Sequence, residues 1–215
     1  MFIEMLDLLR CINPHEDTWL VASLRALSNR FVLDGTLGCP VCHAEYQIRK
    51  GIADFRQSAD TVQQPAVSLP KLEHRDDLAT RIGAFLNATE AGGTLVLGGS
   101  WGEAAHEVSV LTGSRVLVLN YTRGMEESET VGLLRVSHEI PLAPASALGV
   151  AIDETLPPEI LPSVVKVVRP GGRIVGSVAV SAPADIPILA RDDRYWVAEK
   201  PLETVPLRRA GGSQE

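Results

Sequence analysis

The sequence predicts an α/β protein with a mostly parallel sheet, preceded by a small metal-binding module. From residue 94 onward, short apolar strands alternate with helical segments, which is the pattern of a parallel sheet whose strands are joined by helices. A glycine-rich segment, LVLGGSWGE at residues 95–103, joins the first of these strands to a helix. Ahead of it stand two residue pairs with the spacing of metal ligands: Cys11 with His15, and Cys39 with Cys42.

The composition indicates a globular chain and argues against nucleic acid as a partner. Of the 215 residues, 45% are hydrophobic and 22% are charged, which is enough apolar material for a core. The net charge of −7 disfavours binding to a phosphate backbone, because that binding relies on clustered Lys and Arg side chains. Aromatic residues make up only 5% of the chain, so platforms for stacking bases are not expected either.

We expect a cytoplasmic protein that does not contact a membrane. The cysteines number three, and two of them form a C-x-x-C pair, a usage typical of reducing compartments. The N-terminus carries Glu4 and Asp7 and lacks the basic start of a signal peptide. The uncharged stretch 140–152 is too short and too rich in proline to cross a bilayer.

The first predicted domain is residues 1–56, which we call the N-terminal module. Residues 31–33 predict a strand that enters a tight turn at Asp34-Gly35, and residues 46–48 predict a second strand. Residues 19–27 fit either a strand or a helix. The module therefore contains few elements of its own with which to build a core.

A linker and a larger domain follow. Residues 57–71 lack apolar periodicity and contain two prolines, which predicts a linker; residues 72–207 are the second domain, and 208–215 a flexible tail. Apolar spacing predicts a helix over 72–87 that Gly92-Gly93 stops. The remaining predicted elements are strands 94–97, 115–119, 133–136, 149–152 and 173–180, helices 102–111 and 158–168, and a terminal hairpin of 186–189 and 195–198.

Cys11, His15, Cys39 and Cys42 are predicted to bind zinc. Tetrahedral zinc takes four sulfur or nitrogen ligands, and two short-spaced pairs supply them at little cost in chain entropy. Such a site is closed and structural, and contributes roughly 10–16 kcal/mol of apparent binding energy to folding. His43, next to Cys42, is the alternative to His15 as the fourth ligand. The other interpretation is a buried Cys11 with a structural or redox-active C-x-x-C pair.

Three segments of the N-terminal module carry a resemblance to a known family. LLRC at 8–11, GCPVC at 38–42 and YQIRKGIADF at 46–55 resemble the zinc-ribbon activator subunit that partners tRNA and protein methyltransferases. The chain departs from that pattern at Pro14, where a second cysteine is usual, and at Gln47, where proline is usual. The resemblance implies a zinc ribbon, and a protein partner or a homodimer formed through it.

The second domain resembles the class I S-adenosylmethionine-dependent methyltransferases over residues 74–201. The glycine-rich segment is similar to their first motif, L-D-L-G-x-G-x-G, while 164–180 and 191–201 are similar to their helix–PGG–strand closure and terminal hairpin. The resemblance implies a Rossmann-like methyltransferase sheet, mostly parallel with a C-terminal antiparallel hairpin. It also implies that S-adenosylmethionine contacts these residues: Gly98, Gly99, Ser100, Gly102, Asn120 and Ser137.

The departures from the methyltransferase motifs fall on the cofactor contacts. Val96 stands where an acid usually begins the turn, Ser100 replaces the central glycine, and Asn120 lacks the charge that binds the ribose. Losing two charge-assisted hydrogen bonds weakens binding by roughly 10²–10⁴-fold. No catalytic residue is assigned, because methyl transfer depends chiefly on positioning. Two functions follow: a methyltransferase-like protein acting on a small molecule or a protein, or a silent zinc-ribbon scaffold or regulatory subunit that binds a partner enzyme.

Overall fold

A computed structural model describes residues 1–56, 75–89, 92–120 and 128–202. Its strands are β1 Val21–Ser28, β2 Phe31–Gly38, β3 Glu45–Arg49, β4 Ile52–Asp54, β5 Thr94–Gly98, β6 Arg115–Leu119, β7 Val131–Arg135, β8 Ala147–Ile152, β9 Val168–Ser177, β10 Ile188–Arg191 and β11 Tyr195–Glu199. Its α-helices are α1 Arg75–Leu86, α2 Ala105–Thr112 and α3 Leu161–Val167, and 3₁₀ helices cover Ile3–Leu8, Gly99–Ala104 and Pro158–Ile160. The predicted linker and tail lie outside the described residues.

Within these residues the strands form one mixed sheet in the order β1-β2-β3-β4-β7-β6-β5-β8-β9-β11-β10. The strands from β4 to β9 in that order pair in parallel, and β9, β11 and β10 pair antiparallel. This is the predicted Rossmann-like sheet with its terminal hairpin, so the fold class is confirmed. The strand order reverses between β5 and β8, and their carboxyl ends therefore flank the crevice where such sheets bind ligands.

The N-terminal module extends the same sheet. Its strand β4 pairs in parallel with β7 through Ala53↔Leu134 and Asp54↔Arg135. Met1 and Met5, at and near the chain start, are fully buried in the core that also contains Leu117 of β6. The two predicted domains consequently share one sheet and one core.

Helices cover both faces of the sheet. On one face α1 and α2 pack against Leu95 and Leu97, and on the other Val96 packs in the core that contains α3 and the N-terminal residues. Successive side chains of a strand point to opposite faces, so a strand covered on both sides is apolar throughout. β6 is such a strand, because four of the five residues in its sequence, RVLVL, are apolar and buried, and it forms at the residues predicted for it.

The first hairpin differs from the prediction. β2 runs straight through Asp34-Gly35, and the turn lies instead at Asn29-Arg30, where the φ angles are +45° and +68°. Ser28 pairs with Phe31, so the loop has the two residues of a type I′ turn, which requires positive φ at both. Arginine seldom adopts this conformation, and the sequence therefore gave no turn signal there. Residues 21–28 form a strand, β1.

The boundaries of several other elements also differ from the prediction. α1 ends at Leu86 because Asn87 adopts a left-handed conformation with φ +51°, ahead of the predicted stop at Gly92-Gly93. The predicted helix at 102–111 begins as a 3₁₀ turn, and α2 starts only at Ala105. β9 begins at Val168 and passes through Pro170-Gly171-Gly172 at an irregularity in its pairing with β8. No helix among the described residues is long and apolar enough to cross a bilayer.

Candidate functional site

The four predicted zinc ligands, which we call the metal cluster, lie together. The Sγ atoms of Cys11, Cys39 and Cys42 and a ring nitrogen of His15 are all within 4.8 Å of one another. Cys11 Sγ is 3.6 Å from Cys42 Sγ, and Cys39 Sγ is 3.4 Å from His15 Nε2. Tetrahedral zinc with Zn–S bonds of about 2.3 Å places neighbouring sulfur atoms about 3.8 Å apart. The donor set and its spacing therefore fit a zinc ion.

Local backbone structure explains how the cysteines reach this position. Cys39 and Cys42 occupy the loop between β2 and β3, which is closed by hydrogen bonds from Cys39 N–H to the Ala44 carbonyl and from His43 N–H to the Cys39 carbonyl. His43 has φ +59°, is exposed and is not in the cluster, so His15 is the histidine that meets the sulfur atoms.

Further hydrogen bonds orient the ligands. His15 Nδ1 lies 2.7 Å from the Glu16 carbonyl, to which its N–H donates, so Nε2 keeps its lone pair on the side of Cys39. The Ala44 backbone N–H and other donors lower the pKa of the Cys42 thiol to about 6, whereas burial raises that of Cys11 to about 11. Donors at Cys42 favour the thiolate that zinc requires.

Tyr46 connects the metal cluster to the core. Its hydroxyl lies 3.3 Å from Cys11 Sγ, and its ring stacks on Phe55 with the centroids 4.5 Å apart. Burial raises the pKa of Tyr46, so its hydroxyl keeps its proton beside the sulfur atom. The fold itself thus contributes to the position of Cys11 Sγ.

The second predicted site is the glycine turn, residues 98–102, at the carboxyl end of β5. Here the Ser100 backbone N–H donates to Asp153 Oδ2 at 2.6 Å, and the Ser100 hydroxyl donates to the same oxygen. Asp153 directly follows β8 and is almost completely buried. The predicted cofactor donor at Ser100 is therefore bonded to another part of the chain.

The glycines of the turn are packed against the same segment, residues 153–156. A Cβ at Gly99, where φ is +65°, lies 2.1 Å from both Asp153 Oδ1 and Thr155 Oγ1. A Cβ at Gly98 lies 2.3 Å from Leu156 Cδ1. Distances below 3 Å leave no room for a side chain. Glycine at these two positions therefore lets residues 153–156 pack against the turn.

Asn120 and Ser137 follow the neighbouring strands β6 and β7. The Asn120 amide donates to the Val136 carbonyl at 3.0 Å and accepts from the Val136 N–H at 2.9 Å. This pair of bonds clasps the carboxyl ends of the two strands. Ser137, the next residue, is half-buried, and Gly102 is buried within the 3₁₀ helix that follows the turn.

In this conformation the glycine turn is engaged by other parts of the chain. The predicted polar contacts at Ser100 and Asn120 are bonded within the chain, and the surface of Gly98 and Gly99 is covered. Asp153 and Thr155 are the residues that sequence reasoning missed. The sequence did contain a signal for Asp153. This residue directly follows a predicted strand, and in a sheet where that strand lies beside β5 its carboxyl end is next to the glycine turn.

Comparisons with known proteins concern the fold. No protein-family model matches the sequence, and no protein with a curated description matches it. Among solved structures, a protein from Methanococcus maripaludis named as an S-adenosyl-L-methionine-dependent methyltransferase shares 10% identity, with a TM-score of 0.46 over 61% of this chain and 86% of that chain. The cyclase SpnF shares 13% identity, with a TM-score of 0.48 over 60% of this chain and 81% of that chain.

A third similar structure is that of geranyl diphosphate methyltransferase in complex with SAM. It shares 15% identity with this chain, at a TM-score of 0.40, and the match covers 47% of this chain. Since it covers 48% of the other chain, this protein spans about half of that enzyme's length.

Proposed function

We propose that this protein is a zinc-binding scaffold or regulatory subunit built on a methyltransferase-like sheet, and that it does not transfer methyl groups. The observation that carries the proposal is the bonding of the glycine turn, whose Ser100 N–H and hydroxyl both donate to Asp153. A methyltransferase of this fold has to offer that turn to its cofactor. Here the same atoms hold the protein's own β8 connection in place.

The metal cluster supports a structural role for the zinc ion. With three cysteines and one histidine as ligands, zinc has its four positions filled and none open to substrate. In the sequence, Cys11 and His15 directly follow the buried N-terminal residues, whereas Cys39 and Cys42 lie in the loop between β2 and β3. Zinc at this point would hold the N-terminal segment against the hairpin, and so keep the module attached to the rest of the sheet.

A scaffold acts through a partner, and one edge of the module, which no described strand pairs with, supports a protein as that partner. β1 is the edge strand, and Val21 and Leu27 on it are exposed by 63% and 52%. A long apolar edge strand is a site for pairing with a strand of another chain. The alternative, a homodimer through the same edge, is distinguished by the mass of the protein in solution.

The second candidate is an active methyltransferase that acts on a small molecule or a protein. What favours it is the position of the glycines. Gly98 ends β5, and Gly99 and Gly102 follow it, at the point where the strand order reverses, which is where ligands bind in open α/β sheets. For this candidate, residues 153–156 have to leave the turn before the cofactor can bind.

Calorimetric titration with S-adenosylhomocysteine separates the two candidates. We expect no binding heat from the zinc-loaded, folded protein at millimolar ligand, because Asp153 already occupies the donors of the turn. A class I methyltransferase of known affinity, titrated in the same buffer, serves as the control for the ligand. Saturable binding at micromolar concentration contradicts the scaffold proposal and favours the enzyme.

A further inference from the structure

The geometry points to the glycine turn as a carboxylate-binding site that is filled by the chain's own Asp153, and we infer that removing this side chain opens the site to a free small carboxylate. The inference rests on the proposed function and deepens it. It names both the internal ligand of the turn and the chemical class that replaces it, namely formate or acetate.

Four donors from two segments converge on the Asp153 carboxylate. Oδ2 accepts from the backbone N–H and the hydroxyl of Ser100, and Oδ1 accepts from the backbone N–H of Thr155 at 3.0 Å and its hydroxyl at 2.5 Å. Each oxygen thus has one backbone donor and one hydroxyl donor. An ionised carboxylate only accepts hydrogen bonds, and this set satisfies both of its oxygen atoms symmetrically.

The surroundings of the carboxylate are built to its shape. The missing side chain of Gly99 leaves the space that Asp153 Oδ1 and the Thr155 hydroxyl occupy. Leu156 covers Gly98, and the indole N–H of Trp101 donates to the Ile152 carbonyl at 3.0 Å, which fixes the turn against the end of β8. The donors are therefore held in place by packing that does not involve the carboxylate itself.

Burial explains why a free carboxylate cannot compete in the wild-type protein. Asp153 is only 5% exposed and Leu156 is similarly buried, so little of the carboxylate position is open to a free anion while the side chain fills it. A tethered side chain also has a very high effective concentration compared with a free anion. Asp153→Ala removes the tethered carboxylate and leaves the backbone donors without a partner.

Chemical rescue of Asp153→Ala tests the inference. We expect the substitution to lower the Tm by about 5–10 °C, because buried donors lose a charged acceptor. Formate or acetate, added up to about 100 mM against chloride at equal ionic strength, should raise the Tm again along a saturable curve. Wild-type protein should show no such dependence on carboxylate.

Asp192→Ala is the matched control. Asp192 also accepts hydrogen bonds from two backbone N–H groups, those of Arg194 and Tyr195, but it lies in an exposed hairpin turn. Water can replace its carboxylate there, so formate should not change the Tm of this variant. A Tm that rises with formate equally in both variants reflects a general salt effect and overturns the inference.

A second measurement keeps the inference testable if Asp153→Ala does not fold. Thr155→Val deletes the hydroxyl donor and keeps the side-chain shape, and should lower the Tm by about 2–4 °C. In the Asp153→Asn background the same change should cost much less, because the acceptor is already altered. Additive effects, or a folded Asp153→Ala that formate does not stabilise, overturn the inference. Neither result concerns S-adenosylhomocysteine, whose binding to the wild type tests the proposed function alone.

Discussion

The metal cluster and the glycine turn were both predicted from short motifs, but their polar atoms have different partners. In the metal cluster, three sulfur atoms and the His15 ring nitrogen approach one another, and the hydrogen bonds from Asn13 and Tyr46 come from outside the set. In the glycine turn, the donors of Ser100 are bonded to Asp153. The contrast shows that a segment whose sequence resembles a ligand-binding motif can instead serve packing within the chain.

The largest expected effect belongs to the metal cluster. We expect about one zinc ion per chain, and its loss together with unfolding of the N-terminal module in the double variant Cys39→Ser/Cys42→Ser, since such sites contribute roughly 10–16 kcal/mol. Metal analysis and thermal unfolding measure both effects. Val41→Ser, an exposed position in the same loop, is the control and should keep its zinc. Wild-type protein that contains no zinc after purification, or that keeps its Tm when the zinc is removed, contradicts the prediction.

The next effect tests what the glycines of the turn are for. Gly99→Ala should lower the free energy of unfolding by about 2–4 kcal/mol, because the new Cβ adds a clash to the strain of positive φ. Gly92→Ala is the matched control, since Gly92 also has positive φ but its Cβ meets nothing within 4 Å, and should cost about 1–2 kcal/mol. Urea unfolding measures both variants. Equal losses mean that residues 153–156 do not occupy the space beside Gly99.

A smaller effect is expected at Asn120, where the acid typical of the methyltransferase motif is missing. Asn120→Asp keeps the acceptor for the Val136 N–H but faces the Val136 carbonyl with a second acceptor. We expect a loss of about 1–3 kcal/mol in urea unfolding and no gain of S-adenosylhomocysteine binding. A variant that binds this ligand and keeps its stability instead indicates a ribose site.

The smallest effect is expected where the N-terminal module joins the rest of the sheet, at Asp54 of β4. Burial alone raises the pKa of Asp54, but hydrogen bonds and charge from Arg56, with a further contribution from Arg135, bring it below its ordinary value. A lowered folded pKa stabilises the protein above the unfolded pKa, and the effect is lost as the pH falls through the folded value.

Asp54→Asn should therefore cost about 1 kcal/mol or less at neutral pH, where the pair is partly screened by solvent. The difference from the wild type should shrink below about pH 4. Urea unfolding across this pH range measures it. A difference that stays constant down to acid pH means that the Asp54 charge does not support the β4–β7 junction.

Elements with strong local signals were predictable. β6 is a continuous apolar run, and the terminal hairpin has a turn in which Asp192 accepts two backbone N–H groups, so both were found. The turn at Asn29-Arg30 was missed because Arg30 adopts positive φ against its own preference. The pairing of β2 with β3, which is itself linked through β4 to β7, supplies the order that the turn residues do not encode.

The sequence by itself determined the alternation of strands and helices, and with it the parallel sheet, and it singled out the four residues of the metal cluster, because all of these depend on spacing along the chain. The tertiary structure alone decided that β4 joins β7, that Asn120 clasps Val136, and that Asp153 bonds to Ser100. The last pair is separated by 53 positions. Contacts at that distance depend on strand order and on the shape of the packed surfaces, which no local pattern of residues encodes.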